Sequence, residues 1–319
     1  MRAAVDDISS PAAAAAAAAR RRRDAEVGLA YGLAAYVLWG LIPAYFKLIA
    51  HVSPLLVLAH RVVWSFLFLA LLVALLGKWR DVAATLRRGR TVLLLSLSTV
   101  LLACNWGAFI YAVSTGRVIQ SSLGYFMVPL VSVALGVGAL GERLRRWQVA
   151  GLLAAVAGVA VLTAARGRLP WIALALAFSW GGYGLVRKIA HVTPLVGVFV
   201  ETILLLPLAL LYLAVTPARR AASAEPLARS DYALLLLAGV VTAVPLLWFT
   251  AAAKRLRLST LGFLQYVTPT GQLLLAIFAY GEAFGRANFV GFALIWLALI
   301  VYSLDSWRAH AGADDAARG

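Results

Sequence analysis

Apolar residues in this chain gather into blocks of about twenty, the length at which a helix crosses the hydrocarbon core of a bilayer. The blocks fall at 28–50, 54–76, 91–113, 118–140, 146–165, 171–190, 194–215, 232–253, 259–280 and 287–305. Charged or turn residues bound each one, and the longest connections, 77–90 and 216–231, leave no room for a soluble domain. Inside a bilayer each backbone N–H and C=O must find its partner within the protein, so such blocks become helices. Bulk composition agrees: 63% of the residues are hydrophobic and 13% charged, against roughly half and a quarter in a soluble chain. The sequence predicts an all-α membrane protein of ten transmembrane helices.

Charge sets the orientation. With the N-terminus inside, 20 of the 29 Lys and Arg fall in cytoplasmic segments and 7 in periplasmic loops, while Lys47 and Arg61 lie in or near spans. The positive-inside rule then places both termini in the cytoplasm of a multi-pass inner-membrane protein. It also explains the net charge of +16 without nucleic acid. The opening "PAAAAAAAARRRRD" has its charges after the apolar run, opposite to a signal peptide. Residues 1–27 therefore read as a disordered basic cytoplasmic tail, and 306–319 as a second cytoplasmic tail. A single cysteine, Cys104, and four scattered histidines give no disulfide framework and no metal site. No GxxxxGK[ST] phosphate loop, GxSxG elbow or HExxH occurs, so neither ATP hydrolysis nor an intramembrane enzyme is indicated, and no cofactor is expected.

The chain repeats itself. "LWGLIPAYFKLIAHVSPL" and "SWGGYGLVRKIAHVTPL" align Trp39-Gly40 with Trp180-Gly181 and Lys47 with Lys188, and one gap after the lysine then matches Pro54 with Pro194. "SSLGYFMVPL" pairs with "STLGFLQYVTP", and in both copies a proline stands 13 positions before the glutamate of Gly-Glu: Pro129 and Glu142, Pro269 and Glu282. Residues 28–165 and 171–305 thus form two five-helix units. An odd number of spans makes the second unit enter from the opposite side. Inverted repeats recur in secondary transporters, whose sites lie near the midplane between the halves. A small-molecule substrate, alternating access and optional proton coupling follow as expectations. A non-transporting receptor or assembly scaffold is the alternative; it predicts no flux and tolerance of changes at Arg61 and Glu201.

Polar and aromatic residues inside spans are the candidates for the pathway. Tyr36, Trp39 and Lys47 share a face of span 1, His60 and Trp64 one of span 2 with Arg61 beside them. Asn105 and Trp106 come from span 3, Tyr125 from span 4, Trp180 and Tyr183 from span 6, Gln265 and Tyr266 from span 9. With Pro54 and Pro194 aligned, Arg61 and Glu201 occupy the same position in the two copies. An unpaired charge at such depth is costly, so an Arg61–Glu201 pair across the repeats, with His60 nearby as a proton carrier, is the natural expectation.

The stretches "YVLWGLIPAYFKLI", "LAHRVVWS", "SLGYFMVPLVSVALGVGALGERLRRWQ", "STLGFLQYVTPTGQLLLAIFAYGE" and "FALIWLALIVYSLDS" together resemble the RarD family. That family comprises chloramphenicol-sensitive-protein permeases, a branch of the EamA-type drug/metabolite transporter superfamily. The resemblance covers about residues 28–306. It implies two EamA repeats in a bacterial inner membrane and export or permeation of small metabolites or drug-like solutes. The alanine- and arginine-rich N-terminal extension departs from the family pattern outside the transporter core. The lipid bilayer and the substrate are the partners implied; the oligomeric state is open between monomer and homodimer.

Overall fold

The computed structural model describes residues 11–49, 51–114, 118–164, 171–220 and 228–275, with isolated positions between 278 and 305. In chain order the helices are α1 (Pro11–Leu48), α2 (Pro54–Leu75), α3 (Trp79–Leu86), α4 (Gly89–Ser114), α5 (Val118–Leu140) and α6 (Arg146–Ala164). They continue with α7 (Trp171–Ile189), α8 (Pro194–Arg220), α9 (Arg229–Arg255), α10 (Leu258–Leu264) and α11 (Val267–Leu274). There is no strand among the described residues. The short α3 lies in the connection between the second and third spans, and α10 with α11 makes up the ninth. The tenth span falls largely outside the described residues, as do positions 1–10 and the tail from 306.

Among the described residues five helices are long and apolar enough to cross a membrane, and the helical stretches 124–140 and 146–161 are shorter but apolar. The fold is the all-α, ten-span, doubled arrangement that hydropathy predicts. Most residues of α7 are buried inside the protein, Ser179, Tyr183 and Arg187 included. At the N-terminus the expected disordered tail is helical from Pro11 onward, continuous with the first span. The cause is local: alanine is the best helix former, and adding turns to an existing helix avoids the unfavourable nucleation step.

Each repeat lends its first helix to the other. α1 packs on α9 and α11, while α7 packs between α4 and α5. The equivalent tryptophans meet edge-to-face between the halves, Trp39 and Trp180 with ring centroids 5.0 Å apart at 82°. Close crossings need glycine. A Cβ on Gly271 would stand 3.2 Å from the Gly40 Cα, so α1 and α11 touch backbone to backbone, the small-residue packing that membrane helices favour.

The ninth span breaks where its copy in the first repeat does not. From Gly262 to Pro269 the second repeat carries two more residues than the first has from Gly124 to Pro129. Both prolines remove a donor, yet α5 runs through Pro129 unbroken. In the second repeat the additional residues form a turn at Gln265–Tyr266. The Gln265 carbonyl that Pro269 cannot serve accepts the Thr268 N–H at 3.1 Å instead.

The end of the bundle opposite the α1–α2 turn is tightly tied. α5 stops at Gly141, whose φ of +65° suits a helix C-terminus that only glycine adopts without strain. That reversal aims Glu142 at the start of α10. Its carboxylate accepts the Leu258 N–H at 2.7 Å, the Ser259 N–H at 3.0 Å and the Ser259 hydroxyl at 2.6 Å. Lys188 donates to the Ala253 and Leu256 carbonyls at the end of α9, and Lys254 returns a bond to the Ala190 carbonyl. Each lysine thereby completes the C-terminus of the other's helix.

Burial alone would raise the Glu142 pKa; the bonds from Ser259 and Leu258, with Arg257 nearby, outweigh it and hold the pKa below the ordinary glutamate value. A depressed carboxylate stabilises the fold above its unfolded pKa, and that gain is lost as pH falls through the folded one. Glu142→Gln is expected to lower stability by about 1 kcal/mol at neutral pH, the size of a lost helix cap. In thermal melts the gap to wild type should close below about pH 4; a gap independent of pH would refute the assignment.

Candidate functional site

A cavity of about 740 Å³ lies between the halves, running from the middle of the bundle to the α1–α2 turn. Its inner wall is Trp39, Trp180 and Gln265; Asn105, Trp106 and Tyr125 line one flank. Lys47, Ile49 and Pro54 stand at the turn end, and Arg61 projects from α2. The size falls within the range of small-molecule sites, roughly 300–1,000 Å³. Beyond the inner wall an aromatic cluster fills the core: Phe249 stacks on Tyr183 at 5.7 Å and meets Trp180 at 5.2 Å and Trp39 at 5.7 Å.

Of the residues singled out from sequence, Trp39, Lys47, Arg61, Asn105, Trp106, Tyr125, Trp180 and Gln265 line this cavity. The polar ones are held in place. Asn105 donates to the Leu176 carbonyl and the Ser179 hydroxyl, each at 3.1 Å. Trp180 donates its indole N–H to Gln265 Oε1 at 3.1 Å. Gln265 reaches the wall because the helix break turns it there.

The other six lie off the cavity. Tyr36 is buried and donates to the Leu261 carbonyl at 3.1 Å. Tyr266 is fully buried. His60 accepts the Trp64 indole N–H on Nδ1 at 3.2 Å, a contact one turn along α2, and the backbone of Trp64 abuts Gly239 of α9. Tyr183 and Glu201 belong to a separate buried cluster.

That cluster corrects the expected pairing. α2 and α8 do meet, with Phe66 stacked on Phe199 at 5.5 Å, but Arg61 and Glu201 do not bond. Glu201 is claimed by Arg187, whose Nη1 stands 3.4 Å from Oε1. Tyr183 donates to Oε2 at 3.2 Å and Ser98 to Oε1. Gly197 leaves the space for the guanidinium, since a Cβ there would lie 2.7 Å from its Cζ. Arg61 instead donates from Nε to the Thr242 hydroxyl at 2.8 Å and lies over Trp106 at 4.9 Å and Phe46 at 5.4 Å. Trp106, Thr242 and Leu246 border both the cavity and a void of about 10 Å³ that Glu201 lines. Glu201 therefore stands one layer of side chains behind the wall.

The repeat accounts for this arrangement. In the alignment that matches Lys47 with Lys188, Phe46 matches Arg187, and after the one-residue gap that follows the lysine Arg61 matches Glu201. Each charge thus takes the same-repeat partner at the equivalent place: Arg61 over Phe46, Glu201 on Arg187. Arg187 was missed as a functional candidate because it falls at a span end rich in basic residues; its alignment with an apolar residue was the available signal. Thr242 carried no sequence signal at all.

Comparison with known proteins follows the same two halves. The EamA-like transporter family matches residues 26–164 and again 169–304. A protein RarD from Salmonella typhi is 48% identical over 284 residues, covering 89% of this chain and 97% of its own length. An uncharacterized transporter from Vibrio cholerae is 43% identical over 293 residues, 90% of this chain and 95% of its own. A chloramphenicol-sensitive protein RarD from Pseudomonas aeruginosa is 34% identical over 285 residues, 88% of this chain and 95% of its own. A crystal structure of a protein that is 22% identical covers 87% of this chain and 97% of its own with a TM-score of 0.67, a likeness of fold.

Proposed function

We propose that this chain, which belongs to the EamA-like transporter family in its RarD branch, a membership that points to a multi-pass membrane transporter rather than an enzyme, moves a small organic solute across the inner membrane by alternating access. The substrate sits in the cavity between Trp39, Trp180 and Arg61. The observation that carries the reading is the asymmetry of the bundle. One end holds a cavity that reaches the α1–α2 turn. The other is closed by the Glu142, Lys188 and Lys254 bonds and by the aromatic cluster around Phe249. With both termini cytoplasmic, as the 20 to 7 distribution of basic residues favours, the open end is periplasmic and this is an outward-facing state. Transport then requires the closed end to release and the α1–α2 end to shut.

The site for coupling, if protons drive the cycle, is Glu201, one wall behind the cavity. Flux of a metabolite mixture into proteoliposomes, with and without an imposed pH gradient, tests the function. Movement of at least one solute is expected, and Glu201→Gln should remove any gradient dependence. No flux under any gradient sinks the transporter reading.

The orientation has its own test. In a Cys104→Ser background, Leu58→Cys on the cavity wall should react with a membrane-impermeant maleimide added to the periplasmic face of intact cells. Ala252→Cys in the closed core, 0% exposed, should stay protected. Protection of Leu58→Cys from the outside, with labelling only once the reagent reaches the cytoplasmic face, would mean that the open end faces the cytoplasm.

A further inference from the structure

The cavity has a sign. Among the described residues Arg61 and Lys47 line it and no Asp or Glu does; the buried carboxylate of Glu201 is ion-paired with Arg187 behind the wall. Arg61 is also held in a particular attitude. Its Nε is fixed on Thr242 and its carbons lie over Trp106 and Phe46. Its two terminal nitrogens make no hydrogen bond to any described residue. A planar guanidinium presented in this way is a two-pronged donor matched to a carboxylate. Gln265 points the same way: its oxygen accepts from Trp180, which leaves its NH₂ as a donor to the cavity. Around these donors the walls are flat and aromatic, with Trp39, Trp180, Phe109 and Tyr125.

We infer that the cavity selects small organic anions in which a carboxylate is joined to a flat apolar or aromatic body. The carboxylate docks on the Arg61 fork and the body lies against the tryptophans. A free amine or an amino-acid zwitterion is disfavoured, because its ammonium group would sit beside the Arg61 guanidinium with no carboxylate among the described lining residues to receive it. The inference rests on the cavity being the carrier's substrate site.

Three probes with one body isolate the charge: 3-phenylpropionate, 3-phenylpropanamide and 3-phenylpropylamine. Each is titrated into the purified full chain in lipid nanodiscs, with binding followed by tryptophan fluorescence. The carboxylate is expected to bind at least about tenfold more tightly than the amide, the scale of a hydrogen bond to a charged group, and the amine more weakly than either. Arg61→Gln should bring carboxylate and amide within about twofold by removing that bond, and Arg61→Lys should keep part of the preference. Equal or tighter binding of the amide or amine overturns the inference, as does a preference that survives Arg61→Gln or the absence of saturable binding. Should the Arg61 variants fail to fold, the wild-type ratio decides alone. Radiolabelled uptake into proteoliposomes separates the two claims. Anion-selective binding without flux leaves the inference standing and removes transport; flux of the neutral or cationic probe with no preference for the anion does the opposite.

Discussion

Replacing Arg187 with methionine is expected to lower the stability of the protein by about 3–5 kcal/mol, the usual cost of removing one partner from a buried ion pair. Arg187 is 0% exposed and Glu201 1%, so the carboxylate left behind has no route to water. Its remaining partners, Ser98 and Tyr183, are neutral hydroxyls and cannot balance a full charge. The double change Arg187→Met with Glu201→Leu should recover most of the loss, because well-packed apolar replacements of a buried pair are often neutral or stabilising. Thermal melting of the wild type, Arg187→Met, Glu201→Leu and the double variant in the same detergent gives the coupling as a double-mutant cycle. If the single variant melts with the wild type, or the double variant is no better than the single, the pair is not what holds this part of the core. Charge exchange between Arg61 and Glu201 has no comparable rescue to offer, since the two do not touch.

The second large effect is steric. At Gly239 helices α2 and α9 cross so closely that an added Cβ would meet Trp64 Cβ at 2.5 Å and the Ser65 N at 2.7 Å. Ser65 donates to the Gly239 carbonyl at 3.0 Å, fixing the crossing from the other side. Backbone atoms cannot rotate away. Gly239→Ala is expected to cost about 2–3 kcal/mol, the upper part of the range for overpacking, and Gly239→Val to prevent assembly of the two halves. The damage should reach the cavity, because Thr242 lies one turn beyond Gly239 and holds Arg61 at 2.8 Å. Even where Gly239→Ala folds, pushing α2 outward lengthens that bond and releases Arg61. Melting temperature and 3-phenylpropionate affinity should both fall. Loss of stability with unchanged affinity would show that the crossing does not set the Arg61 position.

Much of this was legible in the residues because the membrane simplifies the problem. Apolar blocks of fixed length became spans, and the duplicated Trp-Gly signature located the two tryptophans that meet between the halves. Lateral relations were harder to read. Arg187 sits near a helix end and counts as a loop charge in any hydropathy reading, but neighbouring helices close over it completely. Burial of that kind depends on what packs alongside, not on distance along the chain. The Arg61–Glu201 expectation failed for a related reason. Equivalent positions in an inverted repeat are placed by the pseudo-two-fold, and each is nearer to its own preceding helix than to its counterpart. The break at Gln265–Tyr266 was available as a two-residue difference between the copies, and its effect was to turn Gln265 onto the cavity wall.

The two contacts at equivalent places, Arg61 over Phe46 and Glu201 on Arg187, bear on how a doubled gene diverges. Duplication supplies two identical scaffolds, and here the residue on the preceding helix differs together with the charge it meets, Phe46 with Arg61 and Arg187 with Glu201. The heritable unit here is therefore a couple: residues 46 with 61, and 187 with 201. One couple is a buried ion pair behind the cavity wall, and the other sets its cation on the cavity lining. From twin halves the chain has made a frame and a hand.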